Sequence, residues 1–330
     1  MSATSCACGV ADDVGAVIGG GIANDVGAVT NVKVGAGAGA ESAVADRCAP
    51  PHHFVPALEL QAQLEARRYR AKWSDPKRVA EDNDAIMCAG GFLYDGHRVC
   101  VPLPLATTAV TLPPAVAPSR ARFGTTAVCV ANVDTLTAAL ALGDACALNH
   151  ANAQTPGGRY RHGGRAQEED LCRCLPQLWP ALRDSGAYPI PPQAALVTRE
   201  LLAVRRVGTY ERCPSQGTVT IITAAMPCGV ADRRPPGGWV GSPWAEDVTA
   251  RIRAVLHAAC ATGHPNLVLG AFGCGAFGNP AGPVAAIFRA LLTSAEFRGA
   301  FDRVVFAVLD PLGTGNLGPF RRELASIVDR

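Results

Sequence analysis

The strongest constraint on the fold is an alternation of β-rich and helical segments from Val99 almost to the end of the chain. The β-rich runs are VCVPL at 99–103, TTAVCVAN at 125–132, CALNHA at 146–151, AALVT at 194–198, LLAVRR at 201–206, TVTIITAA at 218–225, LVLGAF at 267–272 and RVVFAVL at 303–309. Helical patterns lie between them at 134–142, from 167, at 244–262, at 280–292 and from about 316. This alternation predicts a central sheet covered by helices on both faces. AALVT and LLAVRR, almost adjacent, predict an antiparallel addition to the sheet.

The amino-terminal part has a different composition. Residues 1–53 consist mainly of Ala, Gly, Val and Asp, contain no Phe, Trp or Tyr, and repeat the pentapeptide DVGAV. Such a segment cannot offset its ordering entropy by burial, so we predict a low-complexity, disordered tail. The remaining residues, 54–330, are predicted to form one domain, in which 54–98 is a helical extension with helices at 56–73 and after the SDP at 74–76.

Composition excludes several classes of protein. Hydrophobic residues make up 48% of the chain, which is enough for a sizeable core, and a formal net charge of +2 provides no broad field for nucleic acid or an anionic membrane. The 13 cysteines are odd in number and often lie in apolar runs, which indicates a reduced interior, cytoplasmic or nuclear. The two C-x-C pairs are Cys6 with Cys8 and Cys172 with Cys174, and neither is matched by a second pair and histidines at zinc-ligand spacing. We expect neither a secretory signal nor a membrane-spanning segment. We expect neither a metal nor a cofactor.

A literal G-x-G-x-x-G lies in GAFGCGAFGNP, residues 270–280. A strand is predicted before it and a helix after it, so its amides could receive a phosphate. A dinucleotide-binding fold also needs an acidic residue about 20 residues later and several further strands. The next predicted strand ends near Asp310, too late for that role, so a diphosphate loop in another α/β fold is favoured over NAD binding. The alternative is a tight glycine turn used only for packing.

A second glycine-rich element, PGGRYRHGGRAQEEDLCRCL at 156–175, follows the CALNHA strand. Its Glu168 and Glu169 fall in a predicted first helical turn, where the helix dipole stabilises carboxylates, so one interpretation is a capped surface helix. Neighbouring helical residues point about 100° apart, so the two carboxyls cannot share one proton and would address two parts of one ligand. A carboxyl buried by a glycine loop has a raised pKa and can protonate a leaving sugar oxygen. Asn149, at the end of the preceding strand, could bind a sugar hydroxyl.

From about Arg78 onward, the chain resembles the bacterial-type poly(ADP-ribose) glycohydrolases, a branch of the macrodomain fold. The matching stretches are RVAEDNDAIMCAGGFLYDG at 78–96, VANVDTLTAA at 130–139, ALNHANAQTPGGRYRHGGRAQEEDLCRCL at 147–175, TIITAAMP at 220–227, LVLGAFGCGAFGNP at 267–280 and VVFAVLD at 304–310. The resemblance implies a macrodomain-like, three-layer α/β/α fold with a mixed central sheet and an N-terminal helical extension. It also implies metal-free hydrolysis of the ribose–ribose bond of poly(ADP-ribose).

The resemblance also implies roles for particular residues. Glu169 would act as general acid and then general base, Glu168 would bind the terminal ribose, and Asn149 would help to position it. The other ligand-binding residues implied are Gly157, Gly158, Arg159 and Gln167 in the first loop, and Gly273, Cys274, Gly275, Ala276, Phe277, Gly278 and Asn279 in the second. The second loop would wrap the diphosphate, with Phe277 against the ribose. The expected partners are poly(ADP-ribose) or ADP-ribosylated proteins, with ADP-ribose as product; we expect a monomer that binds neither a membrane nor specific nucleic-acid sequences.

Two positions depart from the family pattern. Arg159 replaces the third glycine of a triple, and His150 replaces an expected aromatic residue. If the missing glycine needed a positive φ, arginine would cost about 1 kcal/mol or more and could block the pocket. Alternatively, its guanidinium could pair with a phosphate. A catalytically impaired ADP-ribose reader and a hydrolase of mono-ADP-ribose linkages therefore remain as alternative functions.

Overall fold

A seven-stranded mixed sheet organises the molecule. The computed structural model describes Glu59 and residues 75–103, 106–111, 121–228, 238–311 and 315–328. The predicted tail at 1–53 and, apart from Glu59, the predicted helix at 56–73 lie outside these residues. The strands of the large sheet are β3 (Thr108–Thr111), β4 (Ala127–Ala131), β5 (Ala145–Ala151), β6 (Ala194–Leu202), β7 (Thr218–Ala225), β8 (Asn266–Leu269) and β9 (Arg303–Ala307).

The strand order places β5 at the centre. The order is β3-β6-β7-β5-β8-β9-β4, in which β7, β5, β8, β9 and β4 run parallel and β6 and β3 are joined by antiparallel pairing. β5 is buried at almost every position, as expected for a strand covered on both faces. The loops after β7, β5 and β8 therefore leave the same edge of the sheet side by side.

Helices cover both faces. One face packs against α5 (Pro243–Thr262), α6 (Ala281–Thr293) and α7 (Leu317–Leu324), and the other against α2 (Thr135–Leu142), α3 (Gln167–Cys174) and α4 (Leu178–Asp184). The predicted three-layer α/β/α architecture with a mixed sheet is confirmed.

Local sequence signals explain where several helices begin. Asp134 caps α2 by accepting a hydrogen bond from the Thr137 N–H, and Ser242 caps α5 directly before a proline in the first turn. α1 (Pro76–Ala89) likewise begins after Asp75, whose side chain accepts from the Lys77 N–H, as the SDP motif predicts.

Some predicted elements differ in detail from the structure. The antiparallel addition predicted from AALVT and LLAVRR is confirmed, but both runs contribute to one strand, β6, with a register irregularity between Thr198 and Leu201. The predicted helical extension also contains a two-stranded hairpin, β1 (Gly91–Tyr94) paired with β2 (His97–Cys100). These strands are only four residues long, too short for a period-two pattern to stand out from the helical signal before them.

Aromatic packing between the sheet and one helical layer provides a test of the core. Phe288 on α6 is fully buried, and its ring centroid lies 5.2 Å from that of Phe306 on β9. Because Phe288→Ala leaves a cavity in this layer, we expect it to lower the free energy of unfolding by about 3–5 kcal/mol. Leu93→Ala, at a side chain 68% exposed on the β1–β2 hairpin, should change it by less than about 0.5 kcal/mol. Urea unfolding of both variants measures the difference; equal losses would contradict the assignment of Phe288 to the core.

Candidate active site

The parallel strands end at a cavity of about 420 Å³. Its walls come from the start of α2, the start of α3, the loop after β8, the end of β9, and His150 near the end of β5. Ligands of open α/β sheets gather at this edge, outside the carboxyl ends of the strands. Of the predicted site residues, the wall contains Gln167, Gly273, Gly275, Ala276 and Phe277.

The two predicted catalytic glutamates lie beside this cavity, beneath the glycine loop rather than in the cavity wall. Glu168 is 3% exposed and Glu169 is 6% exposed. Both belong to the first turn of α3, as the sequence predicts, but burial contradicts the alternative of a surface helix. Removing a carboxylate from water is costly unless donors compensate it.

Main-chain donors hold the Glu169 carboxylate on both oxygens. Its Oε2 accepts from the N–H of Ala166, the residue before the helix, at 2.9 Å, and its Oε1 accepts from the N–H of Arg159 at 2.8 Å. The first contact is half of a capping box; the reciprocal half is missing because alanine has no side-chain acceptor. Glu169 thus connects the start of α3 to the glycine loop.

Glu168 has a different set of partners. Its Oε2 accepts from the N–H of Asn152 at 2.8 Å, and its Oε1 lies 3.5 Å from Nδ2 of Asn149. Burial, with the negative charge of Glu169 as a further cause, raises the pKa of Glu168 to about 8. At neutral pH the protonated form of Glu168 is therefore favoured.

Gly158 explains why the loop over these carboxylates is glycine-rich. A Cβ at this position would lie 2.7 Å from Oε1 of Glu169 and 2.9 Å from Oε2 of Glu168, and φ is +55°. The preceding Gly157, at φ +69°, would place a Cβ 2.6 Å from Cδ1 of Trp179. Both glycines are required by space and by backbone conformation.

Asn149 and Gln167 tie β5 to the start of α3. Asn149 is fully buried and donates to Oγ1 of Thr223 at 3.2 Å, and its own Oδ1 has no hydrogen-bond partner in the described part of the chain. The Gln167 amide donates to the Leu148 carbonyl at 2.7 Å and accepts from the His150 N–H at 2.8 Å. Asn149 therefore keeps a free acceptor, whereas much of the Gln167 amide is already engaged.

The loop after β8 presents backbone donors. Among the described residues, the N–H groups of Gly275, Ala276 and Phe277 have no acceptor, and a Cβ at Gly275 would meet nothing within 4 Å. These three residues line the cavity and precede α6. Free N–H groups near a helix start are suited to bind phosphate oxygens.

Two other predicted residues of this loop, Asn279 and Cys274, support it from the protein interior. Asn279 is 3% exposed, donates to the Gly273 and Pro227 carbonyls at 2.9 Å, and accepts from Nε1 of Trp244 at 2.9 Å. Cys274 packs against the hydrophobic core, and burial raises the pKa of its thiol. Gly273 and Gly278, both at φ +71°, form the bends.

Comparisons with known proteins agree with this geometry. The microbial-type PARG catalytic domain matches residues 80–190. A poly(ADP-ribose) glycohydrolase structure from Deinococcus radiodurans, in complex with ADP-ribose, is 32% identical, covers 67% of this chain and 95% of its own, and superposes with a TM-score of 0.57.

The chain belongs to the bacterial-type poly(ADP-ribose) glycohydrolase family.

Structures of the enzyme from Thermomonospora curvata support the same conclusion. One is 26% identical, covers 75% of this chain and 98% of its own, and has a TM-score of 0.63; another, at 27% identity and a TM-score of 0.62, is bound to the inhibitor ADP-HPD. Among curated proteins, no sequence matches significantly. The predicted macrodomain-like α/β fold is confirmed.

The structure shows whether Arg159, in place of the third glycine, strains the backbone or blocks the pocket. Its φ is −99° and its ψ is 24°, so arginine at the third position of the glycine triple carries no left-handed backbone strain. The side chain is exposed and absent from the cavity wall, so it does not block the pocket. The pairing of its guanidinium with a phosphate stays a prediction.

His150, the other departure, packs as an aromatic residue would. Its ring centroid lies 5.5 Å from that of Phe272, and burial lowers the pKa of His150 to about 4, so the imidazole is neutral. A Cβ at Gly270 would lie 2.9 Å from its Cε1, so the ring fills the space beside the second loop. Phe272 was not among the predicted site residues; its place at the end of an apolar strand run gives no signal that separates it from core.

Within the part of the chain that the structure describes, no group of three or more His, Cys, Asp and Glu side chains could hold a metal ion. Among the helices described, none combines the length and apolar character needed to cross a bilayer.

The raised pKa of Glu168 makes folding stability depend on pH. Its pKa rises from 4.5 in the unfolded chain to about 8 on folding, so the folded state favours the proton and loses stability as pH rises between these values. Glu168→Gln removes the titrating carboxyl. The free energy of unfolding of this variant minus that of the parent should therefore increase from pH 5 to pH 8, by on the order of a few kcal/mol. Denaturant unfolding at both pH values measures this, with Glu81→Gln at an exposed site on α1 as control. A gain that is the same at both pH values would contradict the raised pKa.

Proposed function

We propose that this protein hydrolyses the ribose–ribose glycosidic bonds of poly(ADP-ribose) and releases ADP-ribose. The observation that carries the proposal is the convergence of two buried carboxyls on Gly158, beside a cavity with free backbone donors. Family membership and the ADP-ribose complex of the Deinococcus relative support it.

The cavity supplies binding for the ADP portion. The N–H groups of Gly275, Ala276 and Phe277, which have no acceptor within the described ranges, would donate to diphosphate oxygens, and the Phe277 ring would pack against the adjoining ribose. Apolar walls with a few fixed polar groups are typical of nucleotide-sized sites. This division leaves Asn149 and the glutamates for the terminal ribose.

The chemistry follows from the two carboxyls. Glu169 would give a proton to the leaving ribose oxygen as the C–O bond breaks and positive charge develops at C1; it would then accept a proton from the water that attacks C1, forming a new C1 hydroxyl. Glu168, with the free Oδ1 of Asn149, would hold ribose hydroxyls. Because both glutamates are more than 90% buried in the ligand-free protein, the ribose must displace part of their cover to reach them.

The proposed acid, Glu169, must hold a proton when the leaving oxygen departs. The N–H groups of Arg159 and Ala166, which donate to its carboxyl, fix the position of that acid.

Matched amide variants separate the two roles. We expect Glu169→Gln to lower kcat for release of ADP-ribose from polymer by about a thousandfold or more, because the leaving oxygen loses its acid. Glu168→Gln keeps that acid and loses ribose contacts, so its kcat should fall less, by about ten- to a hundredfold. Chromatographic assay of released ADP-ribose measures both, and calorimetry with ADP-ribose shows whether each pocket still binds. The reverse order would assign the acid role to Glu168, and full activity of both variants would reject the proposal.

The alternative is a reader that binds ADP-ribose without cleaving it. The unstrained backbone at Arg159 removes the reason for expecting impairment. Binding of ADP-ribose by the wild-type protein without turnover of polymer would favour the reader. Turnover of mono-ADP-ribosylated protein alone would favour a hydrolase of mono-ADP-ribose linkages.

Arg159 provides a test of substrate contact outside the cavity. Because an exposed guanidinium can pair with a phosphate of the polymer, we expect Arg159→Ala to raise KM for polymer and to weaken its salt dependence, with the fold retained. Arg298→Ala, at another exposed arginine, is the matched control. Steady-state kinetics at two salt concentrations measure the effect; identical KM values would show that Arg159 does not contact substrate.

We also propose that the protein works as a monomer in a reducing compartment, cytoplasmic or nuclear. Nine cysteines of the described residues carry free thiols, and four of these are buried (Cys146, Cys172, Cys174 and Cys213), which supports a reducing environment. Light scattering and cell fractionation test the two statements separately.

A further inference from the structure

α1, outside the three main layers, makes a dense set of polar contacts with the first glycine loop. Asn83 on α1 is 1% exposed, and its Nδ2 lies 3.0 Å from the Tyr160 hydroxyl, 3.2 Å from the Cys172 carbonyl and 2.9 Å from the Arg173 carbonyl. Two N–H hydrogens thus serve three acceptors, one in the loop and two in the last turn of α3. One amide joins three segments.

A buried guanidinium fixes the orientation of this amide. Arg205, fully buried, donates from Nε to Oδ1 of Asn83 at 2.7 Å and from Nη1 to the Tyr210 carbonyl at 2.8 Å, and it forms an ion pair with Asp82. Arginine has only donors, so Oδ1 must face it and Nδ2 must face Tyr160. The desolvated arginine is compensated only in this arrangement.

Two further arginines hold the same stretch of loop. Arg161 pairs with Asp84 on α1, and its guanidinium lies 4.8 Å from the Trp179 ring centroid. The fully buried Arg173 donates to the Gly164 carbonyl. The loop is therefore held at residues 160 and 161, within its 3₁₀ turn Tyr160–His162, and at residue 164 beyond that turn.

We infer that Asn83 is a positioning residue for the reaction, acting through Tyr160 on the glycine loop that covers Glu168 and Glu169. Arg159, whose N–H donates to Oε1 of Glu169, directly precedes Tyr160. A fixed Tyr160 hydroxyl fixes that N–H, and with it the position of the Glu169 carboxyl. The inference rests on the proposed function only for the step from carboxyl position to turnover.

The separation of this network from the cavity gives the inference a specific signature. Neither Asn83, Tyr160 nor Arg205 lines the cavity that would take the ADP portion. Loss of the Asn83–Tyr160 contact should therefore reduce turnover while affinity for ADP-ribose is preserved. A residue with only a structural role would lower stability without this split.

The test compares Tyr160→Phe and Asn83→Ala with Ile86→Ala. Tyr160→Phe keeps the buried ring and removes only the hydroxyl, so it is the variant most certain to fold. Ile86, also on α1, packs with Phe92, Val101 and Val204 in a separate small cluster and serves as the stability control. We expect both network variants to lower kcat for polymer about tenfold or more, with the ADP-ribose dissociation constant within about twofold of wild type. Ile86→Ala should lower the melting temperature and leave kcat, measured well below it, within about twofold of wild type.

Amide hydrogen exchange provides a readout that does not depend on the enzymatic assignment. The Arg159 N–H should exchange faster in Tyr160→Phe than in wild type or Ile86→Ala, because its anchored neighbour is released. If the wild-type protein does not turn over polymer, the proposed function is rejected. The exchange rates of the Arg159 N–H then decide by themselves whether Asn83 and Tyr160 position the loop. Unchanged kcat in both folded network variants, or a fall no larger than in Ile86→Ala, overturns the inference.

Discussion

Two adjacent carboxyls buried in the first turn of one short helix are the constraint on which the rest of the site depends. Each would cost several kcal/mol without compensation. The protein meets this cost with N–H donors from Asn152, Ala166 and Arg159, and with a proton retained on Glu168. Those donors lie in chain segments that must be held close, so the glycine loop, the end of β5 and α1 all serve the same requirement.

The site divides into two parts with different physical characters. The cavity has apolar walls and unpaired backbone donors in the second loop, so it suits the charged and aromatic parts of a nucleotide. The region around Asn149 and the glutamates is closed and hydrogen-bonded, which suits proton transfer in a low-dielectric setting. Asn279 supports the cavity part by holding the second loop from the side away from the cavity.

Much of this arrangement was accessible from the sequence, because it depends on local signals. Strand and helix alternation predicted the layers, and the Gln-Glu-Glu run after a glycine loop predicted the start of α3. The burial of the glutamates could not be predicted locally, because it depends on distant segments: the loop at Gly158 lies against the carboxyls, and α1 contacts that loop through the Asn83–Tyr160 hydrogen bond. The sequence also could not separate Asn279, which braces the loop from inside, from its neighbours that face the cavity. The conformation at Arg159 was equally inaccessible, because one glycine pattern is compatible with positive or negative φ.

The ordinary backbone at Arg159 affects how relatives should be recognised. The third position of the glycine triple has a φ that every L-amino acid adopts, whereas Gly157 and Gly158 have no room for a Cβ. A search pattern that demands three glycines would therefore reject chains that fold in the same way. The pattern that steric fit supports is two glycines, any residue, a short loop and then Gln-Glu-Glu. At the position after the two glycines, members of the family can differ in charge at the edge of the site.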